Sequence, residues 1–228
     1  MNIRRTNCKT AALTLLEVLV VVLILVLLAA ILLPVLANAK KKSSRINCIN
    51  NLKQVGLVFQ IWSGDNCDKY PMEVSVTNGG AMELSEMGNA FRVFEVMSNE
   101  LSTPKVIYCP EDNERYYPTN GFGTGFSAKN ISYFVGLDAR TNLSKTILSG
   151  DSNLVFQDTP VGSGLLEIPI PKSIVWQNTP VGWTDKRHKR QTGNLVLQDG
   201  SVAWQLSYYA LRQKFFETGL TTNRLAIP

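Results

Sequence analysis

Three patterns of apolar and polar positions follow one another along the chain. From Val18 to Ala37 nearly every residue is Val, Leu, Ile or Ala, with Pro34 as the single interruption. A helix of about 20 residues rising about 1.5 Å each spans roughly the 30 Å hydrocarbon core of a bilayer. The block is therefore predicted to be a membrane helix over about 18–37. Next, Cys48, Leu52, Val55, Phe59 and Trp62 recur at alternating spacings of four and three, while Lys53, Gln54 and Gln60 fall between them. That is one apolar stripe on a helix. Ser63-Gly64-Asp65 reads as its stop.

Past residue 65 the pattern changes to short β-like runs bounded by Gly, Pro, Asn or Asp, at 105–109, 132–137, 146–149, 173–176 and 193–198. The clearest hairpin runs from Leu195 to Trp204 around Asp199-Gly200, a favoured tight turn. Ser207 is placed to cap a last helix with Tyr208, Leu211 and Phe215 on one face and Gly219 as its stop. The expected fold is α+β: a long N-terminal helix, first membrane-spanning and then amphipathic, packed on a small antiparallel sheet. The expected segments are 1–12, a helix over 13–64, and a globular part over 65–228.

Charge and cysteine content narrow this picture. The formal net charge is +5 over 228 residues. Arg4, Arg5 and Lys9 precede the apolar block, and Lys40, Lys41, Lys42 and Arg45 follow it. Charges so placed face headgroups and water. No basic stripe with interleaved aromatics is present, so nucleic acid is not an expected partner. Similar basic counts on both sides leave the orientation open. There are four cysteines, Cys8, Cys48, Cys67 and Cys109, with no Cys-x-x-Cys pair, and His188 is the only histidine. A zinc site is not expected from that pattern.

Three readings compete for the N-terminus. One is a plain anchor. Another is a secretory signal cut near Ala37-Asn38-Ala39, although the apolar core is long for one. The third rests on Ala12-Leu13-Thr14-Leu15-Leu16-Glu17, which sets a carboxylate at the edge of the apolar block. An ionised carboxylate there is costly without a partner, and an anchor or signal peptide has no use for it. The segment resembles the class III signal of type IV pilins and type II secretion pseudopilins. The resemblance implies cleavage by a prepilin peptidase between Ala12 and Leu13, N-methylation of Leu13, and Glu17 as the fifth mature residue. Pro34 becomes the twenty-second, where these families also carry a proline. Ala12 and Leu13 depart from the usual Gly and Phe.

The stretch from Ala39 to Trp62 is similar to prepilin-type proteins of Verrucomicrobia and Planctomycetes. So are Asp65-Asn66-Cys67-Asp68-Lys69-Tyr70-Pro71, Tyr108-Cys109-Pro110-Glu111-Asp112, Ser132-Tyr133-Phe134-Val135-Gly136 and Thr222 to Pro228. The resemblance covers nearly the whole chain. It implies a single-pass protein of the bacterial inner membrane with its globular part in the periplasm. The implied partners are other pilins or pseudopilins, the peptidase, an inner-membrane assembly platform and the lipid bilayer. Glu17 would pair with the free amine of a neighbouring subunit, since a carboxylate among apolar helices needs a partner. Pro34 removes a helical hydrogen bond and is expected to kink or loosen the helix.

Other residues carry weaker expectations. Cys48 on the helix stripe and Cys109 at a predicted strand end are the preferred disulfide pair, with three unpaired thiols as the alternative. His188 and Asp199-Gly200 resemble a motif of the same proteins, a histidine followed nine residues later by Asp-Gly; here ten residues intervene. Their expected role is structural, an Asp-Gly turn with the histidine bonding nearby backbone. Gly121-Phe122-Gly123-Thr124-Gly125 lacks the Lys-Ser/Thr of a phosphate loop and reads as a turn. Asp65, Asp68, Asp112 and Asp151 are candidate calcium ligands without EF-hand spacing; no other cofactor is expected. No acid–base or metal set for catalysis stands out. The expected function is a pseudopilin of a protein-export filament. The alternatives are a type IV pilus subunit for adhesion, motility or DNA uptake, and a membrane-tethered carbohydrate-binding module built on Trp62, Trp176, Trp183 and Trp204.

Overall fold

Helix α1 runs from Leu15 to Asp65. Its start is set by a reciprocal cap. The Thr14 backbone N–H donates to Glu17 Oε2 at 2.9 Å, and the Glu17 N–H donates to Thr14 Oγ1 at 3.2 Å. This is a capping box, which satisfies two of the helix's orphan donors. The computed structural model describes residues 14–115, 121–123, 125–170, 180–188 and 190–228. Ala12 and Leu13 lie outside them, as does the expected strand at 173–176.

The chain divides into two compact units, Met1–Ser43 and Ser44–Pro228. In the first unit, α1 is long and apolar enough to cross a membrane, and none of its apolar window is buried within the chain. The helix continues through Pro34 as one element.

In the second unit, α1 buries Cys48, Leu52, Val55, Val58, Phe59 and Trp62, which includes every member of the predicted stripe. Gly56 is buried with them. A Cβ there would sit 2.6 Å from Val196 Cγ2, so only glycine lets helix and sheet approach this closely. The helix ends at Asp65, within the expected Ser63-Gly64-Asp65 stop. The chain turns just after it, where Cys67 and Asp68 both adopt φ of 57° and the Asp68 N–H donates to Ser63 O.

Three short helices follow: α2 (Met82–Glu86), α3 (Ala90–Val96) and α4 (Ser98–Leu101). The expected strand at 105–109 is instead a 3-10 turn over Pro104–Ile107. Pro104 opens it and Thr103 Oγ1 accepts from the Lys105 N–H, so local capping overrides the β-branched composition.

Among the described residues nine strands come next: β1 (Tyr133–Gly136), β2 (Ile147–Asp151), β3 (Leu154–Phe156), β4 (Thr159–Pro160), β5 (Gly164–Pro169), β6 (Val181–Trp183), β7 (Gly193–Leu197), β8 (Val202–Leu206) and β9 (Thr222–Ile227). Helix α5 (Tyr208–Glu217) is capped by Ser207, whose Oγ accepts from the Ala210 N–H. The main sheet is antiparallel in the order β5-β9-β1-β2-β7-β8, and a smaller sheet has the order β4-β3-β6. The fold is therefore α+β: a long N-terminal helix with an antiparallel sheet domain.

Strands β1, β2 and β7 are buried along their whole length, because both faces of the main sheet are covered. Val135, Leu148, Val196 and Ala226 join the core of α1 and the short helices. Their neighbours Phe134, Ile147, Leu195 and Leu225 join the other core, with Leu211 and Phe215 of α5 and Trp183 of β6. Alternate residues thus serve opposite cores, as the two-residue repeat of a strand demands.

A disulfide joins Cys48 of α1 to Cys109, across 61 residues of sequence. Closing a loop of that length removes about 4 kcal/mol of unfolded-state entropy. The staple is reinforced by Tyr133, whose hydroxyl donates to Cys48 O at 3.3 Å, and by Asn51, whose side-chain amide donates to Tyr108 O at 2.8 Å.

Candidate functional site

Five charged side chains meet beside the disulfide. Four come from loops: Glu111 and Asp112 just after Cys109, and Arg187 and His188 ahead of β7. Asp151 ends β2. Asp112, Asp151, Arg187 and His188 are all buried. Arg187 ion-pairs with Asp112 through Nη2, donates from Nη1 to Ser132 O and from Nη2 to Ser152 Oγ at 3.2 Å, and lies 3.7 Å from Asp151 Oδ1. Its fork thus ties the loop after Cys109 to the ends of β1 and β2. Removing one partner of such a buried pair would leave an uncompensated charge.

His188 is held from both sides. Nδ1 lies 2.6 Å from Glu111 Oε2 and Nε2 lies 3.1 Å from Asp151 Oδ2. Asp151 Oδ2 also accepts from the Asn194 backbone N–H and side-chain amide, each at 2.8 Å. Asn194 Oδ1 in turn accepts the N–H of Gln205 at 3.1 Å. Gln205 has φ of 52°, and the β7–β8 register shifts between Gly193 and Leu195. A bulge so placed aims the Asn194 amide inward, the common use of bulges beside special sites.

Burial pushes the His188 imidazole toward the neutral form, but its bonds to Asp151 and Glu111 outweigh burial and hold its pKa above 6.5. For Asp151, burial pushes the pKa up. The His188 bond and charge, with Arg187 and the Asn194 N–H, outweigh it and hold the carboxyl below 3.8. Two carboxylates around one imidazole, with a guanidinium alongside, form a charge-compensated clamp between loops and strands.

The other half of the expected motif lies elsewhere. Asp199 and Gly200 make the β7–β8 turn, at the end of β7 away from His188. Asp199 Oδ1 accepts from the Ser201 N–H at 2.9 Å and from its hydroxyl at 2.6 Å. Gly200 takes φ of 77° against Gln60 of α1. The turn is as expected, but His188 bonds carboxylates and a side-chain amide, not nearby backbone.

The four candidate calcium ligands do not converge. Asp112 and Asp151 share Arg187, which stands where a cation would. Asp65 lies 17 residues along α1 from Cys48, about 25 Å of helix. Of the four tryptophans, Trp62 and Trp183 are buried in the two cores and Trp204 is 58% exposed; Trp176 lies outside the described residues. Cys67 is a free, exposed thiol. Arg187 and Asn194 carried no sequence signal. Glu111 and Asp112 did, as part of the Cys109-Pro110-Glu111-Asp112 segment.

No family model, curated protein or solved structure matches this chain.

Proposed function

We propose that the chain is a prepilin-type, pilin-like subunit. It is processed between Ala12 and Leu13, held in the inner membrane by the first half of α1, and polymerised through that half into a type II secretion-type filament for protein export. The observation that carries this reading is the division of labour along one helix. The apolar window of α1 is unburied by its own chain, while residues from Cys48 onward are a built-in wall of the globular core. A helix so divided has one segment committed to the fold and one offered to lipid or to copies of itself. The globular domain would then face the periplasm.

Glu17 has two successive partners in this reading. In the precursor it closes the capping box with Thr14. After cleavage, Thr14 is the second residue and the new Leu13 amine offers a positive charge. The carboxylate then meets the amine of a neighbouring subunit and sets the axial register, as a buried polar residue does in a coiled coil. A surface pilus uses the same assembly chemistry. The carbohydrate platform loses support, since two of its tryptophans are core residues.

A photo-crosslinking residue at Leu25, in native membranes that carry the assembly machinery, tests this. The expected result is a ladder of chain–chain adducts that Glu17→Ala shortens without releasing the protein from the membrane. Adducts to lipid alone, in the unsubstituted chain, would overturn it.

A further inference from the structure

The disulfide lies directly against His188. One donor atom from each of Cys48, Cys109 and His188 falls within 4.8 Å of the others, and all three residues are buried. A tetrahedral zinc-like site with metal–sulfur bonds of about 2.3 Å and metal–nitrogen bonds of about 2.0 Å needs ligand atoms about 3.5–3.8 Å apart. Opening the S–S bond and admitting an ion therefore asks for displacements of about 2 Å or less. Two sulfurs and an imidazole suit a borderline-soft divalent cation.

The surroundings of His188 are those of a ligand. Asp151 holds Nε2 at 3.1 Å and is itself fixed by two bonds from Asn194. A carboxylate behind a histidine fixes its tautomer and raises its basicity as a ligand. On the other side, one proton bridges Nδ1 and Glu111 Oε2 across 2.6 Å. A divalent ion in place of that proton takes the nitrogen, and Glu111, which lies outside the three-residue cluster, turns in from its place on His188 as the fourth donor.

We propose that the reduced chain binds one zinc-like divalent ion between Cys48, Cys109 and His188, with Glu111 as fourth ligand and Asp151 as the positioning residue behind His188. The clamp between α1 and the Cys109 loop then exists in two chemical forms, a disulfide when oxidised and a metal bridge when reduced. A phosphine reductant opens the S–S bond: it supplies two electrons, water supplies two protons and the oxygen, and the products are two thiols and the phosphine oxide. The ion takes both sulfurs as thiolates, and two protons leave. A third leaves from between His188 and Glu111. The proposal does not depend on filament assembly.

The test uses the full-length chain in detergent with Cys8→Ser and Cys67→Ser, reduced by a phosphine without oxygen and then freed of it. Cobalt(II) is titrated in. The expected result is one cobalt per chain, with a thiolate-to-metal charge-transfer band and tetrahedral visible bands that zinc displaces and that the oxidised chain never shows. Asp151→Asn weakens binding about tenfold and His188→Gln by at least that much. Absence of the bands in a folded, reduced chain overturns the proposal, as do bands unchanged by His188→Gln. A reduced chain that is unfolded, and stays so with cobalt present, also overturns it.

Discussion

The two halves of α1 are built from the same apolar residue types, yet they answer to different solvents. Between Val18 and Leu36 the large apolar side chains are exposed on every side of the helix. Between Cys48 and Trp62 only one face is buried, while Lys53, Gln54, Leu57 and Ile61 remain exposed. A helix apolar all round asks for lipid or other helices, whereas a helix with one apolar stripe asks for a single surface. The second half has that surface within its own chain, tied down by the disulfide, by Tyr133 and by the Arg187–His188 clamp. The difference separates what folding needs from what membrane insertion and assembly need.

This separation is open to attack by substitution, read as domain stability in chemical denaturation of the detergent-solubilised chain. The largest expected effect is at the clamp. Arg187→Ala leaves the buried Asp112 carboxylate without its ion-pair partner and costs about 3–5 kcal/mol. On the stripe, Leu52→Ala empties a fully buried site and costs about 2–5 kcal/mol. Leu25→Ala, in the other half, shifts domain stability by less than about 0.5 kcal/mol; a loss comparable to that of Leu52→Ala would end the distinction between the halves. Gly56→Ala pushes a methyl group into Val196 and costs about 1–3 kcal/mol.

A separate effect is in pH dependence, with the disulfide intact. His188 has a raised folded pKa, so its contribution is complete below 6.5 and fades as pH rises through the folded value. Asp151 has a lowered one, so its contribution is complete above 3.8 and fades as pH falls through its folded value. The clamp is therefore expected to stabilise most between these limits. His188→Gln should flatten the decline on the alkaline side; an unchanged slope would remove His188 as its source.

Much of this architecture was legible in sequence because it rests on local periodicity. The stripe from Cys48 to Trp62, the Asp199-Gly200 turn and the Ser207 cap each follow from spacing and turn chemistry over a few residues. Strands β5 and β9 were not legible. Their partners lie far away in sequence, as in the pairing of Leu166 with Leu225. The 105–109 run reads as strand from Val106, Ile107 and Tyr108, but Thr103-Pro104 imposes a 3-10 turn. The clamp was half legible. His188 stood out as the only histidine, but Arg187 and Asn194 acquire meaning only when β7 is laid beside β2. In sequence Asp151 is an acidic residue available for calcium; in the fold Arg187 and His188 claim it.

The most direct measurement is the intact mass and N-terminal sequence of the protein taken from native membranes. A mature chain beginning at Leu13, with a methyl group on its amine, is the expected result. A chain beginning at Lys40 would mean removal of the whole apolar segment and would contradict a filament built on it, and a chain still carrying Met1 would contradict prepilin processing.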